Sequence, residues 1–162
     1  MRFTRMSLCT AATAAGLAAL VVASPAAARV STTVAGTAVP TSASFAARVA
    51  GDNVLIDATG THAWAGSFVG TSTITTHFVE HADGTLDFQG FITFTGSTPC
   101  GTGTVTFNAA GQGAFPGPIT GHMTAIDQAG DSVSLHANLN LVLFLTPAGA
   151  VASYSGDVAC GS

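Results

Sequence analysis

The sequence predicts an all-β protein: a single antiparallel up-and-down barrel of about eight strands, with a β-sandwich as the alternative. Three observations carry this. Thr, Val, Phe, Ile and Ser dominate beyond residue 43, and Gly, Pro, Asp and Asn punctuate them at short intervals. No long segment shows the 3.6-residue apolar stripe of a helix, and "FAARVA" offers one turn at most before Gly51. The connections are tight: "GDN", "ADGT", "AAGQG", "DQAGD" and "TPAGA". Neighbouring strands joined so closely run up and down in order.

Residues 1–28 read as a secretory signal peptide. Arg2 and Arg5 form a positive start, "LCTAATAAGLAALVVA" is the apolar run, and Ala26 and Ala28 make a small-residue cleavage site. The run is Ala-rich, ends at Pro25 and lacks a polar stop-transfer flank, so it predicts cleavage and no stable membrane insertion afterwards. Cys9 lies too early for lipid modification and leaves with the signal. The expected location is outside the cell. About 134 residues remain, enough for one domain with its own core. Residues 29–43, small, polar and without clean period, read as a flexible leader, and 44–162 as the barrel domain.

Charged residues make up only 7 % of the chain, and the net charge is −4. After cleavage the cations are Arg29 and Arg48, with no lysine. Nucleic acid and anionic membrane surfaces both need a cationic footprint, so neither is an expected partner. Cys100 and Cys160 are the two cysteines left. An even count in an exported chain predicts a disulfide between them. No Cys-x-x-Cys pair or Cys/His grouping predicts zinc, and no cofactor is expected.

The strands are placed near 44–50, 53–59, 62–81 (bent at Gly66 and Gly70), 85–95, 102–108, 118–127, 131–146 and 151–159. The stretch "THFVEHADGTLDFQGFITF" decides which face is core. Asp83-Gly84 is a hairpin turn. Folding about it sets His81 opposite Thr85, His77 opposite Gln89, Phe78 opposite Phe88, Ile74 opposite Ile92 and Glu80 opposite Leu86. Alternation then gives one apolar face of Phe68, Ile74, Phe78, Leu86, Phe88, Ile92 and Phe94. The other carries Thr73, Thr75, His77, His81, Asp87 and Gln89, a solvated face. His77 and His81 are about 13 Å apart along the strand, too far to share a metal.

A second hairpin, "HMTAIDQAGDSVSLHANLNLVLFLT", is expected to fold about Gln128-Ala129-Gly130. That register sets Met123 opposite Leu135, Ile119 opposite Leu139, and His122 opposite His136. Val133, Leu135, Ala137, Leu139, Leu141, Leu143 and Leu145 form its inward series. His122 and His136 would be close enough for a metal but lack further ligands, so no metal site is expected. All five histidines, His62 being the loosest assignment, are expected to titrate near about 6.5. Val142 and Phe144 leave one end of the outer face apolar, a surface for a cover or partner.

Function is less legible. There is no Gly-x-Ser-x-Gly elbow, and "CGTGTV" lacks the lysine and helix of a phosphate loop. Trp64 reads as core or barrel plug, with ligand contact as the alternative. Trp64, Phe78, Phe88 and Phe94 are the candidate ligand-binding residues for a small apolar molecule. Glu80 falls on the core-face series near a turn, as a rim carboxylate or one inside an apolar lumen, where it would act as acid or base. Glu80 and Tyr154 are the candidate catalytic groups.

The stretch from Gly66 to Gly113 resembles a secreted bacterial family of unknown function with the allene oxide cyclase-like barrel. Its carriers are Gly70-Thr71-Ser72, the Asp83-Gly84 hairpin, the aromatic strand Phe88 to Phe94, and Gly101-Thr102-Gly103. Where the family has a Gln-His-Ser-Gly run, this chain has "NAAGQG". The resemblance implies the barrel and carries over no functional residue. The wider superfamily includes cyclases whose apolar lumens fold a reactive substrate, but fold alone does not transfer that activity. Three functions follow as expectations: binding of a small apolar ligand or another non-catalytic role outside the cell, a cyclase or isomerase templated by the lumen, and a structural or adhesive exoprotein. Room inside the barrel separates them.

Overall fold

A computed structural model describes residues 31–161. The expected signal peptide lies outside the described residues. Eight antiparallel strands close into a barrel: β1 (Ser31–Ala50), β2 (Asn53–Gly66), β3 (Val69–Glu80), β4 (Thr85–Thr98), β5 (Gly101–Ala114), β6 (Ile119–Gly130), β7 (Leu135–Thr146) and β8 (Gly149–Cys160). Each strand pairs with the next, and β1 closes on β8 from Ser31 opposite Ala159 to Ala38 opposite Ala152. Inward side chains are apolar, with Phe88, Phe94, Val105, Phe107, Met123 and Leu139 all buried. Outward ones are largely Thr, Asn, Asp and His. This is the reverse of a lipid-embedded barrel, whose outer face is the apolar one.

The first hairpin has the register its turn dictates, including Phe78 opposite Phe88, His77 opposite Gln89 and Glu80 opposite Leu86. Asp83 Oδ1 accepts the Thr85 N–H at 2.9 Å and the Thr85 hydroxyl at 2.6 Å, and Gly84 takes the positive φ of 81° that the turn requires. The expected bent strand 62–81 is instead the end of β2 and all of β3, divided by a reversal at Ser67 and Phe68.

The expected leader is corrected. From Ser31 onward it is the first half of β1, held by β8 on one side and β2 on the other. Its alternation is hard to see because its inward residues are small (Val34, Gly36, Ala38) and because a bulge falls between Pro40 and Ser42. The extra residue, Thr41, switches the facing, so Phe45 and Ala47 point inward where even-numbered residues did before. Past Ala38, β1 pairs only with β2, which itself stays paired with β3 as far as Val54, so the second half of β1 runs on as an arm along the edge beside one barrel mouth.

The second hairpin is also corrected. β6 continues to Gly130, and one 3₁₀ turn, Asp131–Ser134, intervenes before β7. The register moves by four: Met123 faces Leu139, Ile119 faces Leu143, and His122 faces Asn140. His136 faces Ala159 on β8, so the two histidines are not paired. An even shift keeps every side chain on its own face, which is why the inward leucines are still buried. Val133 is the exception; it sits in the 3₁₀ turn and is exposed.

The barrel end at the β2–β3 and β4–β5 turns is filled. Trp64, Phe68, Phe94, Phe107 and Tyr154 pack with ring centroids 5.0 to 6.3 Å apart. Each such aromatic pair adds about 0.5–1.5 kcal/mol beyond its buried area. Beside this plug the Cys100–Cys160 disulfide joins the β4–β5 turn to the end of β8.

Candidate functional site

At the opposite end the lumen is not filled. A cavity is lined by Trp64 at its floor and by Ile74, Phe78, Phe88, Ile92, Leu141 and Leu143 around its wall. It leaves about 50 Å³ for the centres of water-sized spheres, and about 550 Å³ counting all space between atoms with open solvent at the mouth included. In the first measure one water needs roughly 10–15 Å³, so the room equals three to five waters, the bulk of one small ring. Phe78 also lines an apolar depression outside, with Phe45 and Ala47 of the arm, Ile56, Phe115 and Leu145. The arm thus extends the apolar lining from the lumen toward solvent. Phe45 and Phe115 stay about half exposed there.

Glycines make this shape. Gly111 and Gly121 face each other across β5 and β6, and the Phe88 ring lies over them. A Cβ on Gly111 would stand 2.5 Å from that ring and 2.2 Å from the Thr120 carbonyl oxygen. On the far wall, a Cβ on Gly36 would stand 2.2 Å from the Tyr154 hydroxyl. Larger residues would move the two rings that border the cavity.

Polar groups on the cavity are few. Ser72 is buried and its Oγ accepts the Trp64 indole N–H at 2.9 Å. The Tyr154 hydroxyl accepts the Phe68 backbone N–H at 2.9 Å and donates to the Ala65 carbonyl at 3.2 Å. Burial raises the Tyr154 pKa, offset in part by its main-chain hydrogen bonds. The hydroxyl is therefore a tie on the β2–β3 turn, while the ring borders the cavity.

His62 departs from the solvated histidines. It is 5 % exposed and faces the lumen from β2, opposite Ser72 of β3. Its Nε2 lies 2.8 Å from the Ala150 carbonyl oxygen. A carbonyl only accepts, so Nε2 carries the hydrogen and Nδ1 of the neutral ring holds a lone pair. Nδ1 is buried with no hydrogen-bond partner. Burial lowers the pKa below the usual 6.5, against a smaller upward effect of the Ala150 contact. The expectation that all five histidines behave as solvated ones fails here. Parity with Trp64 two residues on was the available signal, since the two alternate onto one face.

The other candidates separate. Trp64, Phe78 and Phe88 line the cavity. Phe94 does not; it is wholly buried in the plug against Trp64 and Phe68. Glu80 ends β3 at the mouth, half-buried and outside the cavity lining, which is the rim position. His77 pairs with Asp57, and His81 Nε2 donates to Asp87 at 2.9 Å, both on the outer face. Among the described residues no three His, Cys, Asp or Glu side chains group as a metal site would need. No protein-family model and no curated protein matches this chain.

Proposed function

We propose that this protein is an exported barrel that binds a small apolar molecule in its lumen, taken in at the arm-flanked mouth. The observation that carries the reading is the asymmetry of the core: one end is packed solid with aromatic rings, and the other keeps an apolar cavity that leads to an apolar mouth. A purely structural barrel gains by filling such space, because interiors pack to crystal-like density. Export is supported by the signal-peptide pattern of residues 1–28 and by the Cys100–Cys160 bond, since disulfides persist in oxidising compartments. Kinship with the allene oxide cyclase-like barrels belongs to the same proposal and rests on the strand-and-turn pattern from Gly70 to Gly103. The cyclase reading has less support: Glu80 stands at the rim, and the Tyr154 hydroxyl is held by main-chain atoms.

Native mass spectrometry of protein purified from its own culture medium tests the proposal. A co-purifying mass that is lost on unfolding is expected. Bare protein, together with no heat on titration with toluene, would overturn it.

A further inference from the structure

We propose that His62 is the recognition group of this cavity, its Nδ1 accepting a hydrogen bond from the hydroxyl of an uncharged phenol or small alcohol. The inference rests on the ligand-binding reading above and narrows it to a chemical class.

The Ala150 carbonyl fixes the tautomer, which leaves a buried lone pair on Nδ1 of this cavity-lining residue with no protein donor to meet it. A buried acceptor left this way is costly, and native structures seldom keep one without an occupant. No polar side chain among the described residues reaches it: the Tyr154 hydroxyl donates to Ala65, and neither Ser72 Oγ, which accepts from Trp64, nor Thr76 lies within hydrogen-bond distance of Nδ1. The rest of the lining is almost wholly apolar.

Charge selects further. Among the described residues no carboxylate and no arginine lines the cavity. Arg48, the one Lys or Arg among the described residues, sits exposed near the tip of the arm. A carboxylate ligand would enter without a counter-ion, and an ammonium likewise, so both are disfavoured against a neutral hydroxyl. The neutral ring of His62 agrees with this, since burial holds its pKa low. The space suits one small ring.

The test uses p-cresol and toluene, which share a shape and differ by one hydroxyl, titrated calorimetrically into the exported protein. An apolar cavity without an acceptor prefers toluene, because the hydroxyl must leave water uncompensated. With His62 accepting, p-cresol is expected to bind about three- to tenfold more tightly than toluene. His62→Leu is expected to reverse that order. Should that variant not fold, ¹⁵N NMR of the unaltered protein decides: saturating p-cresol should move the His62 Nδ1 resonance upfield, and toluene should not. Tighter binding of toluene, or an Nδ1 signal unmoved by saturating p-cresol, would overturn the role of His62 and leave the apolar-ligand reading standing; a water on Nδ1 would give that result. Failure of both probes to bind would overturn both.

Discussion

Tyr154→Phe removes one oxygen and leaves the ring in place. That oxygen accepts the Phe68 N–H at 2.9 Å and donates to the Ala65 carbonyl at 3.2 Å, so it spans the reversal between β2 and β3. Phe68 is wholly buried, and its N–H would lose its partner where water cannot replace it. A net hydrogen bond is worth about 0.5–1.5 kcal/mol, and an orphaned buried donor costs about 1–3. The variant should therefore lose about 2 kcal/mol. With a urea slope near 2 kcal/mol/M for a domain of this size, the midpoint falls by about 1 M. The melting temperature falls by about 7 °C. Toluene affinity should stay within about twofold, because the ring still borders the cavity. Urea titration and calorimetry on the same samples measure both. An unchanged midpoint with ligand affinity or turnover abolished would refute the structural assignment and return Tyr154 to a chemical role.

Leu139→Ser, at a fully buried inward position, should destabilise by about 2–5 kcal/mol, and Phe78→Ser by a similar amount, while His77→Ser and Gln89→Ser on the outer face stay within about 0.5 kcal/mol in urea titrations; equal behaviour of the two pairs would mean the faces are misassigned. Intact mass should show the oxidised Cys100–Cys160 pair. Reducing that bond, across a separation of 60 residues, should cost at most about 4 kcal/mol, read as a drop in melting temperature. His62 has a lowered pKa in the folded state, so the unfolded chain binds its proton first. Its contribution to stability is intact above about 6.5, declines as the pH falls below that, and levels off once the pH is under the folded value. Among the described residues no carboxylate or arginine lines the cavity and Tyr154 is its only other titratable side chain, so this loss should vanish in His62→Leu when melting is followed from pH 7 to 4. A melting profile over that range identical in the two proteins would count against a buried neutral histidine.

Wherever period-2 alternation ran between clear turn residues, faces and register were legible. Phe78 opposite Phe88 follows from Asp83-Gly84 alone, and the solvent side of His77 and Gln89 follows with it. The second hairpin was legible by face but not by register. A 3₁₀ turn of four residues after Gly130 and the three-residue turn Gln128-Ala129-Gly130 both satisfy the same Leu series, and only the pairing of β6 with β5 as far as Gly130 chooses between them. The first half of β1 was not legible, because its inward residues are small and its bulge breaks the alternation.

The sequence by itself determined the all-β class, the core face of its regular strands and the two cysteines that would join. These depend on local periods and on counting, which a chain carries without its fold. Only the tertiary structure decided that β1 closes the barrel on β8, that the aromatic rings gather at one end, and that a cavity remains at the other. It also decided the place of His62. Whether a histidine on a strand meets solvent or a lumen, and whether its second nitrogen finds a donor, depends on residues 88 positions away, such as Ala150, and no local pattern encodes a contact at that separation.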